Sequence, residues 1–242
     1  LTAVSSYGKA VVFVEEPLII GERINPTGKP RLKEALQNAD YDYVCRLALE
    51  QINGGSHILD VNVGMPGIDE ASVLAKVVPA LQGITDTPLQ IDTSNYEAME
   101  QALRLYNGKP MLNSVNGKEE SLERVLPLVK KYGAVVVALC LDDSGIPLDV
   151  AGRVAIAEKI IAKAAEYGIA AHNIVVDPLA LTISTGGDNA KVACEVIAAM
   201  QARGIKTVMG VSNISFGLPG RELINSTFFT LALQAGLSSG II

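Results

Sequence analysis

From residue 17 onward the chain repeats one pattern: a short run of aliphatic and β-branched residues, a loop holding Gly, Asn, Asp or Pro, and an amphipathic stretch of helical length. The apolar runs fall at 17–22 (PLIIGE), 57–63 (HILDVNV), 88–93 (PLQIDT) and 110–114 (PMLNS). They continue at 134–141 (AVVVALCL), 173–178 (NIVVDP), 206–212 (KTVMGVS) and 237–242 (LSSGII). Their length and composition predict β-strands. Between them the period changes to that of a helix. Val150, Val154, Ala157, Ile161, Ala164 and Ala165, for example, predict one apolar helix face. Strands that alternate with helices imply crossover connections and a parallel sheet. The uninterrupted apolar run at 134–141 suits a strand covered on both faces.

Eight such units predict an α/β fold of the closed (β/α)8 class, the TIM barrel. A doubly wound open sheet is the alternative, but no GxGxxG follows the first strand. The pattern stops inside the eighth strand with no helix after it. The expectation is therefore a barrel truncated after strand eight, with apolar surface left uncovered there. Residues 1–16 read as a linker or short N-terminal capping segment, and residues 17–242 as the barrel domain.

Composition narrows the function classes. Of 242 residues, 49% are hydrophobic and 19% charged, enough for a large buried core. Aromatics are only 5% and Trp is absent, so that core must be aliphatic. A net charge of −6 without any Lys/Arg cluster argues against a nucleic-acid partner. No apolar run has the length of a membrane span and no leader pattern opens the chain, so neither a membrane partner nor export is expected, and a cytoplasmic location is. Cys45, Cys140 and Cys194 form no CxxC and read as buried, reduced thiols. His57 and His172 stand before strands, on the face opposite a barrel's site, and read as structural. That leaves no metal site of ordinary make-up and no Ser/His/Asp hydrolase.

A barrel of this kind carries its site at the C-terminal ends of the strands. Those ends hold Glu22, Arg23 and Asn25, then Asp60 and Asn62, then Asp92, Thr93 and Asn95. Asn113, Ser114 and Asn116 follow, with Asp177 after strand six and Ser212, Asn213 and Ser215 after strand seven. Taken singly, each could be an ordinary loop or N-cap residue. Together they converge on one mouth. Asp60, Asp92 and Asp177 lie in or directly after apolar runs, where an unpaired charge is costly. A mouth rich in Asp and Asn and poor in Lys and Arg suits a flat heterocycle such as a pterin, whose amine and ring N–H a carboxylate can accept. Phosphate would instead ask for backbone nests with a cation. The stretch STGGD (184–188) could imitate such a nest, but it reads better as a loop leading to an N-cap at Asp188.

The segments IIGERINPTGK (19–29), ILDVNVG (58–64), QIDTSN (90–95), MLNSVN (111–116), VDPLAL (176–181) and GVSNISFGLPGRELIN (210–225) resemble the pterin-dependent methyltransferases. The entry GERINPTGK and the form SNISFGLPGR look most like the folate domain of the cobalamin-dependent methionine synthases. The methyltetrahydrofolate:corrinoid iron–sulfur protein methyltransferases are close behind. The resemblance implies that Asp92, Asn113 and Asp177 hold the pterin, with Ser212 beside them. It implies that Asn213 approaches N5, that Glu22, Asn25, Asp60 and Asn62 complete the mouth, and that Arg221 lies near the p-aminobenzoyl portion of folate. A surface ion pair is the structural alternative for Arg221.

The same resemblance implies 5-methyltetrahydrofolate and tetrahydrofolate as substrates and cobalamin supplied by a partner domain, with a homocysteine-binding domain upstream. Asn213 and Asp92 are then the catalytic candidates. Asn213 would hydrogen-bond N5, and the proton would arrive through water linked to a carboxylate, for which Asp92 is the choice. Dihydropteroate synthase resembles the same pattern, but that family carries a basic residue after the strand-seven Ser and an Arg-His pair at strand eight. Here Asn213 and Ile214 follow Ser212, and the last strand reads LSSGII. A folate-binding module without catalysis is the remaining alternative.

Overall fold

The computed structural model describes residues 1–14 and 16–242; Glu15, within the segment 1–16, lies outside the described residues. Eight parallel strands close on themselves: β3 (Leu18–Ile24), β4 (Ile58–Val61), β5 (Leu89–Asp92), β6 (Met111–Asn116), β7 (Val135–Leu139), β8 (Ile174–Asp177), β9 (Lys206–Gly210) and β10 (Ser239–Ile241). The barrel closes where β10 pairs with β3. Helices α1 (Pro30–Gln37) and α2 (Tyr41–Asn53) both lie between β3 and β4. One helix fills each later crossover: α3 (Glu70–Ile84), α4 (Tyr96–Leu105), α5 (Glu119–Tyr132), α6 (Val150–Glu166), α7 (Asn189–Ala202) and α8 (Arg221–Gln234). The protein is a TIM barrel. All eight apolar runs are strands, most of them trimmed by one or two residues at an end, whereas β3 runs on to Ile24 and β6 to Asn116.

Alternation along each strand divides the molecule into layers. One set of side chains, including Leu59, Ile91, Leu112, Val136 and Val176, packs outward against the helices. The other set points inward. Ile20, Ile58, Met111, Val135, Val175 and Val208 fill the lower barrel. One pleat further on, each of these strands delivers a different inward residue: Glu22, Asp60, Asn113, Val137, Asp177 and Gly210. The polar mouth thus sits directly above an apolar plug.

The floor is covered by an antiparallel hairpin of β1 (Ala3–Ser5) and β2 (Ala10–Val12). Val4, Val11 and Phe13 are buried in the same cluster as the lower barrel. The hairpin is tied to the barrel by a pair of main-chain bonds between Ser5 and Lys109 at 2.8 and 2.9 Å. His57 also serves the floor: its Nδ1 accepts from the Ile19 N–H at 2.9 Å. His172 lies in a single 3-10 turn before β8.

Three expectations are corrected. The buried face of α6 is Arg153, Ile156, Ala157, Ile160 and Ala164; Val150, Val154 and Ile161 of the expected line are half-buried and pack at the edge of the core, and Ala165 is exposed. The apolar periodicity hid the true face because a fully buried arginine stands in it. Asp188 occupies the N-cap position of α7, yet its side chain makes no cap bond; the neighbouring Asn189 amide instead donates to Thr182 O at 2.7 Å. Finally, β10 is not uncovered. Ser239, Gly240 and Ile241 are buried, and a Cβ on Gly240 would lie 2.7 Å from the Phe229 ring of α8. Apolar surface does open just past it, in a cleft lined by Val211, Phe229 and the 47% exposed Ile242.

Candidate functional site

At the mouth lies a cavity of about 280 Å³ lined by Glu22, Asp60, Asp92, Asn113, Ser114, Leu139, Asp177, Leu179, Gly210, Ser212, Asn213 and Ile241. Every barrel strand contributes to it, directly or through the loop that follows. A larger cavity of about 460 Å³ opens near Pro17, Gln201 and Lys206. It lies by the N-terminal ends of β3 and β9, away from the strand ends where such barrels carry their chemistry.

The mouth brings together Glu22, Asp60, Asp92, Asn113, Asp177, Ser212 and Asn213 from the sequence-derived set. Four of the seven are carboxylic acids in one small space. Asp60 is almost fully buried and accepts from Gln90 Nε2 at 2.6 Å. Asp92 accepts from Asn62 Nδ2 at 2.9 Å, and Asp177 accepts from the Leu179 N–H at 2.7 Å. Asn113 and Asn213 point neutral amides at the same space, and neither side chain has a hydrogen-bond partner among the described residues. Gly210 keeps room for one of them, since a Cβ there would come within 3.0 Å of Asn213 Nδ2.

Burial governs the electrostatics, because removing a carboxylate from water disfavours its charged form. Desolvation pushes Asp177 up to about 7, partly countered by the Leu179 N–H and the Arg153 guanidinium. It pushes Asp92 up to about 6, with the Asn62 bond pulling down and the Glu22 and Glu70 charges adding to the rise. Asp60 is raised well above the ordinary range by burial and by the Asp92 charge. Glu22 is raised by burial, against the opposing charges of Lys29 and Arg221. The mouth therefore holds protons near neutral pH.

Three residues of the set stand beside the cavity rather than on it. Asn25 accepts from the Thr27 N–H at 3.0 Å and reaches Glu22 Oε1 only at 3.5 Å. Asn62 bridges the Gly64 N–H and Asp92. Arg221 donates from Nε to Ser215 Oγ at 3.0 Å and from Nη2 to Ser212 O at 2.9 Å. It forms no ion pair among the described residues; it braces the 3-10 turn Val211–Ser215 that carries Asn213. Asn95 and Asn116 have local roles too, capping α4 and turning the loop at Lys118.

Sequence reasoning passed over three contributors. Lys29, in the loop after β3, donates from Nζ to Glu22 O at 3.0 Å and Arg23 O at 3.3 Å; its place in the GERINPTGK segment was the available signal. Leu179 lines the cavity with φ +65, a left-handed conformation costing a non-glycine residue about 1–3 kcal/mol. Arg153 lies behind that loop, and the only clue to it was a charge at an apolar helical spacing.

The sequence family described as "pterin binding enzyme" matches residues 21–242. The chain belongs to this family. Within it, the chain is 32% identical to a methionine synthase of Mycobacterium leprae, across 99% of this chain and 21% of that protein. It is 30% identical to a methylcorrinoid:tetrahydrofolate methyltransferase of Eubacterium limosum, across 93% of this chain and 84% of that protein. The chain thus spans about a fifth of the methionine synthases it resembles and most of the smaller methyltransferase. Among solved structures, a dihydropteroate synthase of Xanthomonas albilineans with 4-aminobenzoic acid superposes with a TM-score of 0.77 at 19% identity, covering 100% of this chain and 92% of that one. One from Coxiella burnetii in complex with pteroic acid gives 0.75 at 17% identity, with the same coverage. At such identities these structures speak for the shared barrel alone. No helix among the described residues is long and apolar enough to cross a membrane.

Proposed function

We propose that this pterin-binding barrel holds the pterin of 5-methyltetrahydrofolate or tetrahydrofolate in its mouth and serves methyl transfer between N5 and a corrinoid carried by another domain. The observation that carries the reading is the cavity lining: four acids and two unpartnered carboxamides, with no Lys or Arg among them. An aminopyrimidinone edge offers adjacent N–H donors to a carboxylate and a carbonyl to an amide. A diphosphate would meet four acids. At about 280 Å³ the cavity suits a bicyclic ring and is too small for a corrinoid. The remainder of the folate would leave through the mouth, and the corrinoid belongs to the partner, where it supplies the nucleophile for the methyl group.

Transfer breaks the N5–methyl bond, leaves the electron pair on nitrogen and requires a proton there. Asp177 and Asn113 orient the ring. Asn213 donates a hydrogen bond to N5 as charge develops on it, and Asp92, with its pKa near 6, is matched to passing a proton through water. The likeness to the smaller methyltransferase favours a second direction, from methylated corrinoid to tetrahydrofolate, through the same groups in reverse. In a protein arranged like the methionine synthases, neighbouring segments would carry the corrinoid and bind homocysteine. The test is calorimetry of the domain with 5-methyltetrahydrofolate, with tetrahydrofolate and with a pterin diphosphate. Micromolar binding of the first two, about −8 kcal/mol, supports the reading. Preferred binding of the diphosphate would hand the site to dihydropteroate chemistry.

A further inference from the structure

Arg153 is completely buried on the inner face of α6, yet it does not touch the cavity. Its donors go to main-chain carbonyls of two different loops. Nε donates to Pro147 O at 2.8 Å in the loop after β7, and Nη1 donates to Pro178 O at 2.8 Å and Leu179 O at 2.7 Å in the loop after β8. Leu179 is the residue with φ +65. Its N–H in turn occupies one oxygen of Asp177 at 2.7 Å.

We propose that Arg153 is a positioning residue for pterin recognition: it locks Leu179 in its left-handed conformation, and Leu179 holds Asp177 with one carboxylate oxygen turned to the ligand. The geometry favours this over plain packing for two reasons. A leucine does not adopt that backbone unaided, so something must over-determine it, and the two carbonyls flanking the strained unit are those the guanidinium grips. The position also asks for a planar fork spanning two loops, which an aliphatic residue or a lysine cannot supply. A purely structural filler of the apolar face of α6 would be aliphatic and free of a desolvation cost; here Nη2 remains without a partner among the described residues.

Arg153 also supplies the positive charge nearest Asp177. From β7 that acid faces the Cys140 thiol, Asp149 at the start of α6 stands beside Arg153, and Glu22, Asp60 and Asp92 lie across the cavity. The loop after β9 offers the neutral Ser212 and Asn213, with the Arg221 guanidinium gripping Ser212 O behind them, and Lys206 is at the opposite end of that strand. Withdrawing the guanidinium leaves burial and acids, so Asp177 should protonate at higher pH. With its midpoint at about 7, a rise of one unit cuts the ionised fraction at pH 7 about fivefold.

The inference rests on the proposed pterin reading, but its central step can be tested without ligand. Carboxyl and amide resonances of Asp177 and Leu179 would be followed by NMR against pH in the intact chain and in Arg153→Met and Arg153→Lys variants. In Arg153→Met the Asp177 midpoint should rise and the Leu179 amide should lose protection. Arg153→Lys keeps the charge but not the fork, so the amide should loosen while the midpoint stays near that of the parent. Folate titrations should then show affinity at pH 7 lowered at least fivefold in Arg153→Met and regained as pH rises. Unchanged Asp177 and Leu179 signals in folded variants overturn the positioning role, whatever the folate result. If Arg153→Met does not fold, the lysine variant decides alone: a Leu179 amide as protected as in the parent overturns the role. Failure of the parent to bind folate, with the NMR changes present, overturns the pterin reading and leaves the Arg153–Leu179–Asp177 linkage standing.

Discussion

Over β3, β4 and β5 the mouth gathers three acids, two of them held by other side chains, Asp60 by Gln90 and Asp92 by Asn62. Over β6, β8 and β9 it presents one acid and neutral groups, and that acid is held by main chain, the Leu179 N–H. Burial, and after it the neighbouring acid charges, raises the first-half carboxylates, so they share with Asp177 a readiness to hold protons near neutral pH. On the proposed reading the second half sets direction, since amides and a single oriented carboxylate would define where a flat ring lies. One side of the barrel is suited to exchanging a proton, the other to holding geometry, and methyl transfer from a tertiary amine needs both.

The largest effect expected is on the geometric side. Asn213→Ala should lower single-turnover methyl transfer to excess free cob(I)alamin by about 10²–10³, the usual cost of a donor that matters in the transition state. Folate affinity of the same variant should change little. An equal loss in rate and affinity would make Asn213 a uniform binding group and weaken the contrast between the halves. Next come the carboxylates. Asp177→Asn should cost about tenfold to a hundredfold in folate affinity, the worth of a charge-assisted hydrogen bond. Asp92→Asn should lower affinity too, but should above all flatten the pH dependence of transfer near 6, where that acid titrates. If the two variants exchange these signatures, the roles of the halves are reversed.

A third effect is on stability and has opposite signs with and without ligand. Asp177 titrates at about 7 in the fold, above its ordinary 3.8. Its contribution to the stability of the empty domain is thus full at low pH and lost as pH rises through 7. Thermal melts should show the empty domain less stable at pH 8 than at pH 5. A ligand that donates to the ionised carboxylate binds less well as pH falls through 7, so saturating folate should stabilise more at pH 8 than at pH 5. The smallest effect belongs to Asn62→Ala, which removes the bond holding Asp92 down. The Asp92 midpoint should rise, with a few-fold loss of affinity at neutral pH, measurable by carboxyl NMR and calorimetry.

The barrel was legible because its evidence is redundant: eight separate apolar runs at crossover spacing each report the same architecture. The mouth was legible as a set, because inward and outward positions alternate along a strand and Asp60, Asp92, Asn113 and Asp177 fall in phase with the interior. Loop residues have no such phase. Asn25 and Asn62 stand at strand ends like Asn113, yet their side chains close turns at Thr27 and Gly64. A carboxamide that caps a turn and one that faces a ligand are the same letter. Arg221 and Arg153 were obscure for a related reason: both act on carbonyls, and no residue code marks a carbonyl that needs a donor. The phase of α6 was misread because a buried arginine counts as polar in any periodicity.

The closing pair of strands has a consequence for how the molecule comes to be folded. Leu18 of β3 lies opposite Ser239 of β10, its N–H donating to Ser238 O, so the ring is completed only between segments at nearly opposite ends of the sequence. During synthesis, β3 waits with an unpaired edge while almost every other strand emerges, and β9 shows the complementary edge until β10 arrives. Such distant pairings form slowly, and open edges invite other chains to pair with them. Early in its life this chain is thus most exposed to aggregation at a seam that the finished barrel conceals.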